Sequence, residues 1–146
     1  MLRQSLIEIF ERDLSKLKEE ISAYTDESQL WLVDKQVSNS AGNLCLHLIG
    51  NLNHFIGATL GNTGYIRERD KEFSSKNIPR AELLQSIDKV KEVVIGTLKT
   101  IPESEFEKQY PLEVGGRKPP TLTFLIHLTT HLSYHLGQIN YHRRLL

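Results

Sequence analysis

Apolar side chains recur at three- and four-residue steps along most of the chain, and this spacing constrains the fold more than any other feature. Side chains at that spacing lie on one face of an α-helix. The first pattern, for example, runs from Leu2 through Phe10 to Ile21. The predicted helices cover about residues 2–24, 39–60, 79–101 and 121–145. We therefore predict an all-α fold with minimal strand content.

Capping residues and helix breakers fit these boundaries. Ser38 or Ser40 can cap the second helix, and Gly61 stands where a C-terminal glycine is expected. Pro79 suits the first turn of the third helix. The connections after the first and third helices are long, and a Gly-Gly pair within 103–120 allows either a small hairpin or an extended loop. Four helices joined in this way predict a four-helix bundle.

Length and composition narrow the class of protein. The 146 residues are enough for one core, so we expect a single domain spanning residues 1–146. Lys and Arg total 18, as do Asp and Glu, and this balance argues against nucleic-acid binding. The only cysteine, Cys45, excludes an intramolecular disulfide and favours a reducing compartment. The N-terminus does not resemble a signal peptide, and no run of about 18 apolar residues is present, so we expect a cytoplasmic protein without membrane contact.

The last predicted helix carries four of the six histidines of the chain. On a wheel of about 100° per residue, they fall within an arc of about 80°. These histidines are His127, His131, His135 and His142, and Gln138 lies in the same arc. The arc borders the apolar stripe of the helix, so we expect the imidazoles to project into the bundle or to its mouth.

The second predicted helix places His47 and His54 beside its own apolar face, so imidazoles of both helices can converge. Residues four apart on a helix have Cβ atoms about 5–6 Å apart, which allows two imidazoles to chelate one ion. Residues eight apart are separated by about 12 Å along the axis, which is too far for bonds of about 2.0–2.1 Å. Spacing alone therefore leaves two pairs on the last helix, His127/His131 or His131/His135. It also leaves two possible third ligands, His47 or His54.

The chain resembles the DinB-like superfamily of bacterial metal-binding four-helix bundles in three stretches, THLSYHLGQI, NLCLHLIGNLNHFIG and RERDKEF. In that family the final helix carries H-x-x-x-H followed closely by G-Q, and the second helix supplies a third histidine. His131 and His135 precede Gly137 and Gln138, so they match the paired positions. His47, in LHLIGN, matches the position on the second helix. The resemblance therefore implies a metal site formed by His47, His131 and His135.

Other residues near these positions have different predicted roles. His127 is expected in the core or beside a ligand, with contact to a substrate as an alternative. His142 is expected to complement the C-terminal dipole of its helix. Gln138 is expected to hold the second ring nitrogen of a ligand. Cys45 lies about 160° from His47 on the helix wheel, so we expect a small buried apolar residue and not a ligand.

Charged residues cluster in the segment YIRERDKEF. Arg67, Arg69 and Asp70 are expected to form a solvated group of ion pairs. The alternative is that one arginine leans over the metal site and binds a substrate carboxylate, since the planar guanidinium matches that group.

Three neutral imidazoles leave a divalent ion its full charge and at least one open coordination position. Zinc is the ion we expect first, and nickel, cobalt or iron also accept imidazoles. The helices lack the Glu and Glu-x-x-His ligands of a di-iron bundle, which favours one ion. Such an ion lowers the pKa of a bound water or thiol, so both hydrolysis and thiol transfer are chemically accessible.

The DinB-like resemblance favours thiol transfer, because several branches look like transferases or isomerases that use a low-molecular-weight thiol. We therefore expect a mononuclear metal-dependent enzyme that is thiol S-transferase-like, with a metal-dependent hydrolase as the second choice. The expected partners are a small-molecule substrate, such as a low-molecular-weight thiol, and a second copy of the chain in a homodimer. The alternative is a non-catalytic protein, either a metal-binding stress or sensor protein or a dimeric interaction module.

Overall fold

The computed structural model describes residues 1–146 and confirms the all-α prediction. The α-helices are α1 (Leu2–Ala23), α2 (Ala41–Leu52), α3 (Thr59–Gly61), α4 (Arg69–Ser74), α5 (Arg80–Thr100) and α6 (Thr121–Arg144). A π-helical segment, Asn53–Ala58, joins α2 to α3, and short 3₁₀ helices cover Glu27–Trp31 and Glu103–Phe106. The chain has no β-strand, only two isolated bridges within the connection before α6.

The helix that carries His47 begins at one of the two predicted caps and differs from its prediction at its C-terminal end. Ser40, and not Ser38, caps it, because the Ser40 hydroxyl accepts a hydrogen bond from the backbone N–H of Asn43. At the other end the left-handed residue is Asn62, with φ of 52°, and not Gly61. A Cβ at Gly61 would lie 2.5 Å from Oγ1 of Thr97, so this glycine allows α3 to approach α5 closely. The glycine signal was correct, but its physical cause is packing.

The four longest helices share one hydrophobic core of 28 buried residues. Helix α1 packs against α5 and α6, and α2 packs against the same two helices from the other side. The fully buried side chains repeat at helical spacing, as in Phe10, Leu14, Leu17 and Ile21 of α1. Burial of each such side chain contributes about 1.5–3 kcal/mol, so this core supplies the main stabilisation. It also holds α2 and α6 side by side, which brings their histidine faces together.

Polar contacts tie the C-terminal end of α6 to the end of α1. Glu20 is buried and accepts hydrogen bonds from Asn140 Nδ2 and Arg143 Nε, each at 2.7 Å. The Tyr24 hydroxyl lies 2.7 Å from Nδ1 of His142, and Nε2 of His142 donates to the Leu32 carbonyl at 2.9 Å. His142 therefore links α1, α6 and the segment between α1 and α2.

The connection between α5 and α6 is an irregular loop and not a regular hairpin. Gly115 and Gly116 turn the chain at φ of 61° and 83°, a region that glycine adopts without strain. Tyr110 is fully buried and donates its hydroxyl to the Phe55 carbonyl at 2.6 Å. That carbonyl lies in the π-helical segment, so the loop anchors the helix that carries His47. None of the helices combines the length and apolar character required to cross a bilayer.

Cys45 should be inert in the folded protein. The side chain is completely buried in the core, and burial raises the pKa of its thiol to about 12. We expect a chromogenic disulfide reagent to titrate no thiol in the native protein within minutes and one thiol per chain after denaturation. Rapid titration of the native protein would show that the core around Cys45 opens readily.

Candidate metal centre

Three imidazoles meet in the seam between α2 and α6. They belong to His47 on α2 and to His131 and His135 on α6, and their facing ring nitrogens all lie within 4.8 Å of one another. The Nε2 atoms of His47 and His131 are 3.1 Å apart. His47 is 7% exposed, and the other two residues are partly buried. The helix packing thus brings together the three residues that the family resemblance implied.

The spacing of these nitrogens suits ligands of one metal ion. Two bonds of about 2.0–2.1 Å at a tetrahedral angle separate the ligand nitrogens by about 3.3–3.4 Å. The Nε2 atoms of His47 and His131 are already 3.1 Å apart, and the candidate ligand atoms of all three residues lie within 4.8 Å of one another. The group consists of histidines alone, so a metal ion bound there would have three nitrogen ligands from this cluster.

Two of the three imidazoles have their tautomers set by an acceptor. His47 Nδ1 lies 3.0 Å from Oε1 of Glu72, and a carboxylate oxygen can only accept, so Nδ1 carries the proton. His135 Nδ1 lies 2.7 Å from Oε1 of Gln138, and the same argument applies. In both residues the lone pair is therefore on Nε2. This confirms the prediction that Gln138 holds a ring nitrogen of one of the three histidines.

The third imidazole, His131, is less constrained. Its Nδ1 is buried without a hydrogen-bond partner, as is Oδ1 of Asn51 on α2. Burial, together with the neighbouring imidazoles, lowers the pKa of His131 to about 4, and burial also lowers the pKa of His135. Both rings are consequently neutral at pH 7, the state that metal coordination requires. The chemistry of this donor set therefore fits a divalent cation.

Glu72 on α4 is the residue that sequence analysis missed. It is 6% exposed, and its carboxylate accepts two hydrogen bonds from Arg67, from Nε and from Nη2, at 2.9 Å each. Burial alone raises the pKa of Glu72, but hydrogen bonds from His47 and Arg67 outweigh it, so the pKa falls below its usual value. Glu72 therefore stays ionised and orients His47.

A glycine makes room for this carboxylate. A Cβ on Gly50 would lie 1.9 Å from Oε2 of Glu72, so only glycine permits α4 to sit this close to α2. The Asn43 side chain holds α4 in place by donating to the carbonyls of Glu72 and Ser75 at 2.9 and 2.8 Å. The only sequence signal for this contact was a glycine one turn after His47, which by itself has many possible causes.

Arg67 is not part of a solvated ion-pair cluster. Its side chain is only 11% exposed, and its guanidinium lies over the Phe55 ring at 5.7 Å as well as against Glu72. Arg69 and Asp70 are exposed, and the Arg69 guanidinium lies 5.3 Å from the Phe73 ring centroid. Arg67 is therefore paired with Glu72, the residue that orients His47.

A comparison with known families places the chain. The family described as "Protein of unknown function (DUF1572)" matches residues 3–146. The chain belongs to the DUF1572 family. None of the curated proteins compared with it matches. The DinB-like resemblance of this DUF1572 protein therefore rests on its own residues and on the three-imidazole cluster.

The other histidines of the DUF1572 protein lie outside the cluster. His54 is in the π-helical segment, where the adjacent Phe55 packs on Phe124 with ring centroids 5.0 Å apart, well before His131 along α6. His127 is exposed, so it does not lie in the core. Its ring lies beside that of His131, with centroids 6.4 Å apart, which is the other position that was predicted for it. Helix spacing left two pairs on α6 and two third histidines open, and the helix packing brings His131 and His135 together with His47.

Gly50 provides a test of the Glu72 contact. We expect Gly50→Ala to displace Glu72 and to lower the free energy of unfolding by about 1–3 kcal/mol, as overpacking does. The matched control is Gly96→Ala on α5, where a Cβ would meet no atom within 4 Å. That change should raise stability by up to about 1 kcal/mol, because alanine favours a helix. Chemical denaturation measures both, and equal effects would contradict the contact.

Proposed function

We propose that this DUF1572 protein is a mononuclear metal-dependent enzyme with a DinB-like four-helix-bundle fold, and that its reaction is thiol S-transfer. Metal-dependent hydrolysis is the second choice. The observation that carries the proposal is the set of three imidazoles, two of them aimed by Glu72 and Gln138, with no fourth protein ligand. A structural metal site normally has four protein ligands, whereas an open position is typical of catalytic sites.

The helix arrangement supports the proposed bundle. Helices α1 and α2 each pack against both α5 and α6, so the four longest helices surround a common core. In this arrangement the ligand set comes from facing helices, as in other bundle metal sites. Long connections precede α2 and α6, and the segment between α3 and α5, which contains α4, supplies Glu72 to the metal centre.

The residues of the centre each have a defined part in the proposed chemistry. A divalent ion, zinc first and nickel, cobalt or iron as alternatives, would act as a Lewis acid that favours a thiolate over a thiol at neutral pH. His47, His131 and His135 would hold it without adding negative charge. Glu72 and Gln138 keep the protons of their partners on Nδ1 and so keep each Nε2 available. Arg67 balances the charge of Glu72 and excludes water from it.

Thiol transfer ranks above hydrolysis because the DinB-like resemblance favours it and because the carboxylate next to the three imidazoles is already paired. The carboxylate nearest to them, Glu72, is engaged by Arg67 and His47. A thiol needs only the loss of its proton to become a strong nucleophile. We further propose a cytoplasmic location and a low-molecular-weight thiol as one substrate.

The outer face of α6 supports a homodimer. Helix α6 has no charged Lys, Arg, Asp or Glu before Arg143, although Ile126, Thr130, Tyr134 and Tyr141 are exposed. An exposed helix face of this length normally carries charged side chains, and their absence suits contact with a second copy.

Metal analysis of histidine variants tests the proposed site. We expect His131→Ala and His135→Ala each to lower metal affinity by more than the roughly 10–100-fold that outer-shell changes cost, because each removes a direct ligand. The measurement is metal stoichiometry and affinity by chelator competition at pH 7. Full retention of metal by both variants would overturn the assignment.

Two matched controls accompany these variants. His54→Ala and His127→Ala remove imidazoles that lie outside the cluster, so both proteins should bind metal as the wild type does. A metal-replete protein that shows no turnover in a broad thiol and ester screen would favour a non-catalytic sensor or interaction module.

Thr130→Arg tests the proposed dimer. An arginine in the middle of the uncharged face should prevent association, so light scattering should show a fall from twice the 16.8 kDa chain mass to a single chain. Thr100→Arg, at the exposed end of α5, is the control and should leave the mass unchanged. A wild-type protein that is monomeric at all concentrations tested would rule out the dimer.

A further inference from the structure

A large cavity adjoins the metal centre on the side of His135. Its volume is ≈ 740 Å³, within the range of about 300–1,000 Å³ typical of small-molecule sites. One wall is the segment that precedes α2, from Leu32 to Asn39, and the other is the last part of α6. His135 and Gln138 form part of the lining, so the cavity shares two residues with the metal centre.

The lining is mainly apolar, and most of its apolar side chains remain exposed to solvent. Leu32 and Val37 are each 48% exposed, although leucine and valine are usually buried. Tyr134 and Tyr141 contribute aromatic rings, and Asp34 and Lys35 are the only Asp, Glu, Lys or Arg side chains in the lining. Apolar surface of this kind gains free energy when a ligand removes it from water, in proportion to the area covered.

We infer that this cavity binds the apolar part, an alkyl or aryl group, of a small-molecule substrate whose reacting end lies at the metal centre. The inference rests on the proposed function, because it assigns the reacting end to the three-imidazole site. The concave shape and the contact with His135 favour a small molecule. A second copy of the chain is expected on the outer face of α6, centred on Ile126 and Thr130, and neither of these residues lines the cavity. Tyr134 and Tyr141 belong to both surfaces and mark where they meet.

A homologous series of thiols tests the inference. The probes are 1-propanethiol, 1-butanethiol and 1-hexanethiol, with 2-mercaptoethanol as the polar reference, titrated into the protein loaded with Co²⁺. The readout is the visible and near-ultraviolet spectrum of the cobalt, which changes when a thiolate binds. We expect affinity to rise by up to about fourfold for each methylene that enters the cavity.

Variants of residues that line the cavity test whether the rise in thiol affinity with chain length comes from binding in this cavity. Leu32→Ser and Val37→Ser replace side chains that are half exposed, so both proteins should fold and load Co²⁺ normally. Each should reduce the gain between 1-propanethiol and 1-hexanethiol by severalfold. Leu112→Ser is the matched control, because Leu112 is 37% exposed and lies outside the cavity, and it should keep the full gain.

The possible outcomes separate the two proposals. A protein that takes up no Co²⁺ overturns the proposed function together with the inference that rests on it. A protein that loads Co²⁺ and binds thiols with affinities independent of chain length overturns the inference alone. The same follows if chain length matters equally in Leu32→Ser, Val37→Ser and Leu112→Ser, because the apolar group would then bind elsewhere.

Discussion

The contacts of one buried carboxylate, that of Glu72, determine the geometry of the three-histidine site. Glu72 belongs to α4, a helix of six residues that is too short to be stable by itself. Gly50 makes the space for it, Asn43 holds its backbone, and Arg67 balances its charge. Removing one partner of a buried ion pair lowers the folding stability by far more than the intact pair contributes to it, because the other charge is left unpaired. These residues therefore form one structural unit. That unit fixes the ring of His47.

A divalent cation bound at the proposed centre would favour an anionic guest. Glu72 and Arg67 cancel each other, and the three imidazoles are the other groups around the site. A divalent cation held there would keep its charge, in a seam where the core lowers the effective dielectric constant. A thiolate would compensate that charge. The same burial that disfavours protonated imidazoles at His131 and His135 therefore leaves these rings able to bind a cation.

Helix α6 combines several functions because its side chains divide among its faces. Its apolar stripe, which includes Leu125, Leu132 and Ile139, packs in the common core. His131 and His135 occupy the edge that meets α2, and the exposed residues of the remaining face carry no charge before Arg143. Its last turns form one wall of the apolar cavity. A change on one face is therefore expected to leave the other faces largely undisturbed.

The sequence by itself determined the four long helices and their order, because apolar periodicity and capping act within a few residues of the chain. It also identified the imidazole-rich faces, and the family resemblance singled out His47, His131 and His135. What it could not reveal depends on contacts between distant segments. Periodicity places His54 on the same face as His47, and only the register of α2 against α6 separates them.

Glu72 was invisible for the same reason. It is 25 residues from His47 in a charged segment, YIRERDKEF, whose composition is typical of an exposed loop. The cavity beside His135 also exists only because the segment before α2 folds back toward the end of α6. Local spacing thus determined which side chains lie on each helix face, whereas tertiary packing decided which faces meet, since burial and electrostatic pairing act between groups close in space and not along the chain.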